Sequence, residues 1–567
     1  MKTPSFLART PIDSPNRSGF HIPYENMFTG RTGTLYPVFV KECIPNETHS
    51  LDMMFEAELP PMVSNFFGRV DLVFEAFFCP MSLLWQGWEY FAVHPTSNPI
   101  YPEGTNVALK PRQIPHITSI GFSSNPFSRG SLGDFLGIKS YSYLPPSSSD
   151  VVYPSWNSLP FLCYHRIWDD WYRNSLVQAP VFYPPRIGDP ASSSPTTAAS
   201  LPYITMARSN GDGSVFDLGD TSSVQSTYVP WTLGDGLNLS SLRQRNWNLD
   251  YFTAATPQPQ AGSASSITFE VVSDVNTSLN KASGAGSISI AAIRQSNAIQ
   301  KWMERNNLVG YDYADQVYAQ YGCYPDNRLL RKPIYLGRYI EPVYNRSVFQ
   351  SSPFSDSSDA SRNPFSSVGN GVGIKSGSSQ SNGKGSLFHN FKSTDHGFLM
   401  VMCSLRPHAY YSTGSNRMLR RRQIGDIAFP LLSGVGDQAI YQSELQGDGT
   451  TNFGQVFGYI DQYADYKTSV DEVHGLLTDG SPLDSFVLQR SFPSTGSVTI
   501  SSSFLQIPQD YLDQVKQVSS SAVPVDYWAS CFFDYKKISP LPVYSVPTLG
   551  DLKNAHTEFV RRGGSRL

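Results

Sequence analysis

Arg417, Arg420, Arg421 and Arg422 crowd into the stretch NRMLRRRQ, the densest cluster of cations in the chain. A guanidinium holds carboxylate or phosphate oxygens through paired N–H donors. The cluster therefore suits acidic groups of a second subunit, phosphates of a nucleic acid, or a solvated turn. A second basic group, Lys553, Arg561, Arg562 and Arg566, sits in KNAHTEFVRRGGSRL near the C-terminus. It suits non-specific neutralisation of DNA by counterion release, or an ordinary solvated end. A third feature is aromatic. In LPFLCYHRIWDDWYR, Tyr164, Trp168, Trp171 and Tyr172 share one face of a helix. Such rings stack on sugars or bases, or else pack on a sheet or a neighbouring subunit. Trp168 and Trp171 are candidate intersubunit contacts on the second reading.

Catalytic chemistry finds no constellation. Gly369-Asn-Gly371-Val-Gly373-Ile-Lys375-Ser376 resembles a phosphate loop in composition only, with the wrong spacing and no apolar strand before it. HExxH, GxSxG and EF-hand patterns do not occur. Asp169 and Asp170 are adjacent on an expected helix and so point apart. His396 and His408 flank an apolar run and read as structural or turn histidines. Cys43, Cys79, Cys163, Cys323, Cys403 and Cys531 are scattered, without a CxxC pair or a histidine cluster at ligand spacing. Buried, reduced thiols are expected, and no catalytic residue, cofactor or metal ligand.

Charged residues make up only 16% of the 567 positions, while aromatics reach 13%, with 31 Tyr and 34 Phe. Interface cores are depleted in charge and enriched in aromatic residues, so this balance suits a protein covered by other copies of itself. It equally suits a large β protein with big internal loops. A net charge of −4 argues against a free nucleic-acid-binding module. The N-terminal stretch lacks the apolar segment of a secretory signal, and no run approaches the roughly 18 apolar residues of a membrane span. A soluble protein of a reducing compartment, without membrane insertion, is expected.

These side chains need a scaffold, and its clearest piece is Phe398-Leu-Met-Val-Met-Cys-Ser-Leu405, a short unbroken apolar run bounded by Asp395-His396-Gly397 and Pro407. It reads as a strand buried on both faces. Alternation predicts strands around Tyr36 to Val40 and from Leu51 to Leu59. A third, from Val70 to Phe78, should turn Asp71 and Glu75 to solvent. Further strands are predicted at Ser497 to Ile507 and Tyr527 to Tyr535, with Pro540, Pro542 and Pro547 ending the pairing. Helical spacing appears at Leu84 to Phe91 and at residues 159 to 173. Short strands at 267 to 272 and 288 to 290, and helices at 291 to 305 and around 314 to 321, give the middle of the chain some structure.

With 43 Gly and 42 Pro, the connections should be long and irregular. The expected organisation is an extended N-terminal arm over 1–34 and a discontinuous core from 35–92, 159–180 and 395–540. A long loop insertion fills 93–158. A partly helical insertion fills 181–394, with polar loops at 181–243 and 351–394, and a basic tail covers 541–567. Strands that come first and last in the chain, with excursions between, match a mainly β sandwich of jelly-roll type.

The stretches DHGFLMVMCSLRPHAYYSTGSNRMLRRRQIGDIAFPLLSGVGDQAIYQSEL (395–445) and FGYIDQYADYKTSVDEVHGLL (457–477) resemble the major capsid proteins of the Microviridae, on their gokushovirus-like side. SLGDFLGI, NWNLDYFTAATPQPQ, AIRQSNAIQKWMERNN, RLLRKPIYLGRY and PLDSFVLQRSF follow the same order and make the resemblance specific. It implies an eight-stranded antiparallel jelly roll with long loop insertions and a few short helices. It implies assembly into a small T=1 icosahedral virion enclosing circular single-stranded DNA, in the host bacterial cytoplasm. The implied partners are further copies of the chain, the packaged DNA, an internal scaffolding protein, a DNA pilot protein, a small basic DNA-binding protein and a host surface receptor. One departure is the interval of about 30 residues between TPQPQ and AIRQS, where many members carry a long insertion forming a threefold protrusion. A carbohydrate-binding jelly-roll adhesin or lectin is the competing reading, and a β-sandwich glycan-degrading enzyme the third.

Overall fold

The computed structural model describes residues 17–62, 66–84, 88, 114, 116–118, 127–139, 155–181, 238–259, 332–350, 374–422, 426–434, 436–446, 454–492, 496–516 and 525–543. Two antiparallel sheets face each other. Their strands, in chain order, are β1 (Ser18–Gly30), β2 (Tyr36–Cys43), β3 (Thr48–Glu58), β4 (Val70–Pro80), β5 (Ile334–Pro342), β6 (Tyr344–Gln350), β7 (Ile374–Lys392), β8 (Gly397–Pro407) and β9 (Tyr527–Ser539). One sheet runs β1-β9-β3-β7-β6 and the other β2-β8-β4-β5. Most neighbours in the sheets are far apart in the sequence: β1 pairs with β9 from Ser18↔Ser539 to Gly30↔Tyr527.

The β8 run is buried at every residue, as the unbroken apolar sequence predicts. Alternation divides it between two cores. Leu399, Val401, Cys403 and Leu405 face the other sheet, meeting Leu51, Met53, Phe55, Phe533 and Tyr535. Phe398, Met400 and Met402 face outward onto a second cluster built on the Leu159–Trp171 helix, with Leu162, Tyr164, Ile167 and Trp168. A third cluster gathers Tyr251, Phe252, Tyr411, Ile440, Phe457 and Phe504 around residues 410–505.

Several expectations are corrected. The polar side of β4 is not solvated: Asp71 is wholly buried and Glu75 is 8% exposed. Arg406 and His408 meet Asp71, and Arg245 and the Tyr172 hydroxyl meet Glu75. Residues 18–30 form an edge strand rather than an arm. Pro23 is tolerated there because an edge strand leaves one side of its backbone unpaired. The stretch 374–392 is a strand rather than a polar loop, since its Ser and Gly residues pair through the backbone with β3 and β6. Sheet strands β5 to β7 thus fall inside the stretch expected to be an insertion. Ser497 to Ile507 is not a strand. Ser501 caps a short Ser502–Leu505 helix, and flanking residues bond instead to residues 245–247, with Trp247 N–H to Leu505 O at 2.9 Å and Ile507 N–H to Arg245 O at 3.0 Å. The elements expected between 267 and 321 lie outside the described residues.

Gly337 shows how closely the sheets approach. A Cβ there would collide with the main-chain oxygen of Leu387 on β7, so no side chain fits.

Candidate functional site

The arginine cluster lies on a 3-10 turn, Arg417–Arg420, whose first residue is capped by the Asn416 side chain accepting from Met418 N–H at 2.9 Å. Three of its four guanidiniums are already engaged within the chain. Arg417 donates to Ala439 O at 2.6 Å and pairs with Glu444 at 3.1 Å. Arg420 lies over the Tyr441 ring at 4.1 Å and donates to Ser443. Arg421 lies over the Tyr466 ring at 4.0 Å and pairs with Asp465, which also accepts from Gln438 at 3.1 Å. Burial pushes the Glu444 carboxyl above its usual range, even with Arg417 beside it. The carboxylates that answer Arg417 and Arg421 thus belong to the same chain, while Arg420 is held by Tyr441 and Ser443. Arg422 has an exposed side chain, and its backbone N–H donates to Asp426 at 2.9 Å.

Trp168 packs against the sheet, one of the two packing alternatives. It is 3% exposed, with Arg243 4.8 Å over its ring and its indole N–H donating to Gln244 O at 2.9 Å. A ring so enclosed is open neither to a neighbouring subunit nor to a sugar. Trp171 is 44% exposed and leans on Phe77 and Tyr335, donating to Pro333 O at 3.0 Å. One edge of it remains available to a partner. Lys553, Arg561, Arg562 and Arg566 lie outside the described residues.

Cys43, Cys79, Cys163, Cys403 and Cys531 are buried free thiols, and Cys323 lies outside the described residues. Cys43, Glu47 and His49 bring three donor atoms within 4.8 Å of one another. Their surroundings favour an internally paired polar cluster over a metal centre. Lys537 holds Glu47 Oε1 at 2.8 Å, Ile44 N–H occupies Oε2 at 3.0 Å, and Tyr535 OH meets His49 Nδ1 at 2.8 Å. Burial lifts the Cys43 thiol to about 12 and lowers His49 to about 4, so the neutral forms persist.

Other buried charges escaped sequence reasoning. Arg490 is 7% exposed and inserts among Trp247, Tyr411, Phe492 and Phe504, donating to Phe504 O at 2.7 Å. Glu75 takes Arg245 at 2.7 Å and the Tyr172 hydroxyl at 2.6 Å. The signal was present only as two acids interrupting the apolar β4 sequence, with nothing to name their partners. These groups fasten helix and loops to the sandwich.

The phage family described as "Capsid protein (F protein)" matches residues 10–285 and 273–549. The chain belongs to this family. Capsid protein VP1 of Chlamydia phage 1 is 24% identical, covering 97% of this chain and 99% of the relative. Capsid protein VP1 of Bdellovibrio phage phiMH2K is 25% identical over 95% of this chain and 97% of its own length. Capsid protein VP1 of Spiroplasma virus 4 is 20% identical over 94% and 95%. The Microviridae resemblance carried by 395–477 is therefore shown, and this member of the F-protein family is a capsid protein, a component of the virion. A capsid protein works as a homo-oligomeric shell, so its surfaces are to be read as meeting other copies. Among the described residues no helix is long and apolar enough to cross a membrane.

Proposed function

We propose that the chain is the major capsid subunit of a small single-stranded DNA phage and closes into a T=1 icosahedral shell around circular DNA. The single observation that carries this reading is the family match over residues 10–549, laid on a two-sheet antiparallel sandwich. The sandwich corresponds to a jelly roll of the viral capsid type, with strands β1 to β9 supplying its sheets. Assembly proceeds in the host bacterial cytoplasm with an internal scaffolding protein. The finished particle also holds a DNA pilot protein and a small basic DNA-binding protein, and engages a host receptor. The tail residues Lys553, Arg561, Arg562 and Arg566 face the packaged DNA and neutralise phosphates without reading sequence. The work of the chain is structural: modest apolar contacts, repeated by symmetry, stabilise a closed shell.

Electron microscopy and sedimentation of the purified chain, alone and with circular single-stranded DNA, test this. Uniform closed particles of one size are expected. A folded protein that remains monomeric under all assembly conditions, with or without scaffold, contradicts it.

A further inference from the structure

We propose that Met418, Leu419, Ile427, Phe429, Leu431 and Leu432 form one contact between copies of this chain. The inference rests on the capsid reading and names a surface within it. Leu431 is 93% exposed, Leu419 73%, Met418 62% and Ile427 49%. Apolar exposure concentrated on one surface marks an interaction site, whereas scattered single residues would not.

Both stretches dock on the same short segment. Arg421 lies over the Tyr466 ring and pairs with Asp465, while Ala428 N–H donates to Tyr466 OH and Phe429 N–H to Tyr463 OH, each at 3.4 Å. The Ala464–Lys467 helix and Tyr463 thereby hold residues 417–422 and 427–432 on one side of the molecule. The surface is also stiff. Leu419 N–H bonds Asn416 O at 3.0 Å, Leu432 N–H bonds Phe429 O at 2.9 Å, and Ser433 Oγ donates to Pro430 O at 2.7 Å. Ordering these side chains against a partner consequently forfeits little backbone freedom.

The charges identify the occupant. Arg417 and Arg421 are matched by Glu444 and Asp465 of their own chain. Arg420 rests on Tyr441 and Ser443, and Asp426 accepts from the backbone of the exposed Arg422, so three carboxylates stand beside the four arginines and the basic excess around the apolar centre is small, a poor match for the run of phosphates in DNA. A surface that is apolar at its centre and carries little net charge complements one of the same kind, and in a shell built of identical subunits the surface facing it is a second copy.

The test combines Leu419→Asp with Leu431→Asp. Both side chains point to solvent, so circular dichroism and the thermal midpoint of the subunit should match wild type. Particle yield by sedimentation should fall more than ~10-fold, since a desolvated charge at a packed contact weakens association by at least that factor. Leu431→Cys is the second arm. Maleimide labelling above the background of the parent chain should be rapid in the free subunit and slowed at least ~10-fold in particles, as expected of a side chain moved into a packed interface core. Wild-type yield from the double variant, or equal labelling of subunit and particle, overturns the contact while leaving the capsid reading intact. A wild-type chain that never forms particles overturns the capsid reading itself, and this contact with it. If the double variant fails to fold, the labelling arm decides.

Discussion

Tyr172 donates its hydroxyl to the Glu75 carboxylate at 2.6 Å, joining the end of the Leu159–Trp171 helix to the middle of β4. Arg245 reaches the same carboxylate at 2.7 Å and also donates to Ser404 on β8 at 3.1 Å. Burial works to raise the Glu75 carboxyl, but Arg245 and Tyr172 outweigh it and hold the group ionised. Glu75→Ala removes the anion and leaves Arg245 buried without it. The expected loss is about 3–5 kcal/mol in urea unfolding. Glu75→Gln keeps the shape and should lose less, and an equal loss from both would show that packing rather than charge decides.

Acid should weaken the subunit in two stages. His49 has its pKa lowered from 6.5 to about 4 by burial. The unfolded chain therefore binds a proton that the native state refuses, and stability falls as pH drops from about 6.5 to about 4. Buried His165 shifts in the same direction, held by burial and by Arg243. Each histidine contributes a slope of at most about 1.4 kcal/mol per pH unit in that window. Asp71 acts lower. Burial opposes its ionisation, yet hydrogen bonds from His408, Arg69 and Arg406 bring it from 3.8 to about 2. Its contribution is complete above pH 3.8 and is lost as pH falls through about 2. Between pH 7 and pH 4 the thermal midpoint should fall more in wild type than in His49→Gln, with Asp170 and Glu444, whose carboxyls burial raises, acting in the opposite sense in both.

Gly337→Ala should destabilise the sandwich although it adds one methyl group. The new Cβ would meet the backbone oxygen of Leu387, which cannot swing aside as a side chain can. Overpacking of this kind typically costs about 1–3 kcal/mol. Chemical denaturation measures it, and wild-type stability in the variant would mean that β5 and β7 separate freely.

Arg417 and Arg422 should behave as opposites despite their shared cluster. Arg417→Ala strips the partner from Glu444, whose side chain is 2% exposed, and should cost about 3–5 kcal/mol in the isolated subunit. Arg422→Ala alters an exposed side chain and should stay within about 0.5 kcal/mol of wild type. Melting of the two unassembled subunits distinguishes them.

What could be read from the sequence was whatever local pattern determines. The β8 run and the alternation of β3 carry their own burial, and both were found at the expected residues. The polar side of β4 misled because the partners of Asp71 and Glu75 lie far off, in Arg406, His408 and Arg245. Residues 374–392 show no apolar period, because small residues are required where the Tyr339 ring lies against Gly385. The strand is held by backbone pairing, which composition does not report. Trp168 and Trp171 look alike in sequence, yet one is enclosed by Arg243 and the other sits at a rim. The arginine cluster was visible, but its answering acids, Glu444 and Asp465, are distant enough that only the fold pairs them. The capsid assignment was legible because the order of several short motifs carries more information than any one of them.

The pairing of Ser18–Gly30 with Tyr527–Ser539 has a consequence for the order of events in synthesis. The first strand to leave the ribosome must wait for almost the last before its hydrogen-bonding edge is satisfied, and β3 waits for the same partner. The five-stranded sheet can therefore close only once residues 527–539 have been made. A chain truncated before Tyr527 lacks the strand that joins β1 to β3 and should fail to present the surfaces on which neighbours dock, so incomplete products are kept out of the growing shell.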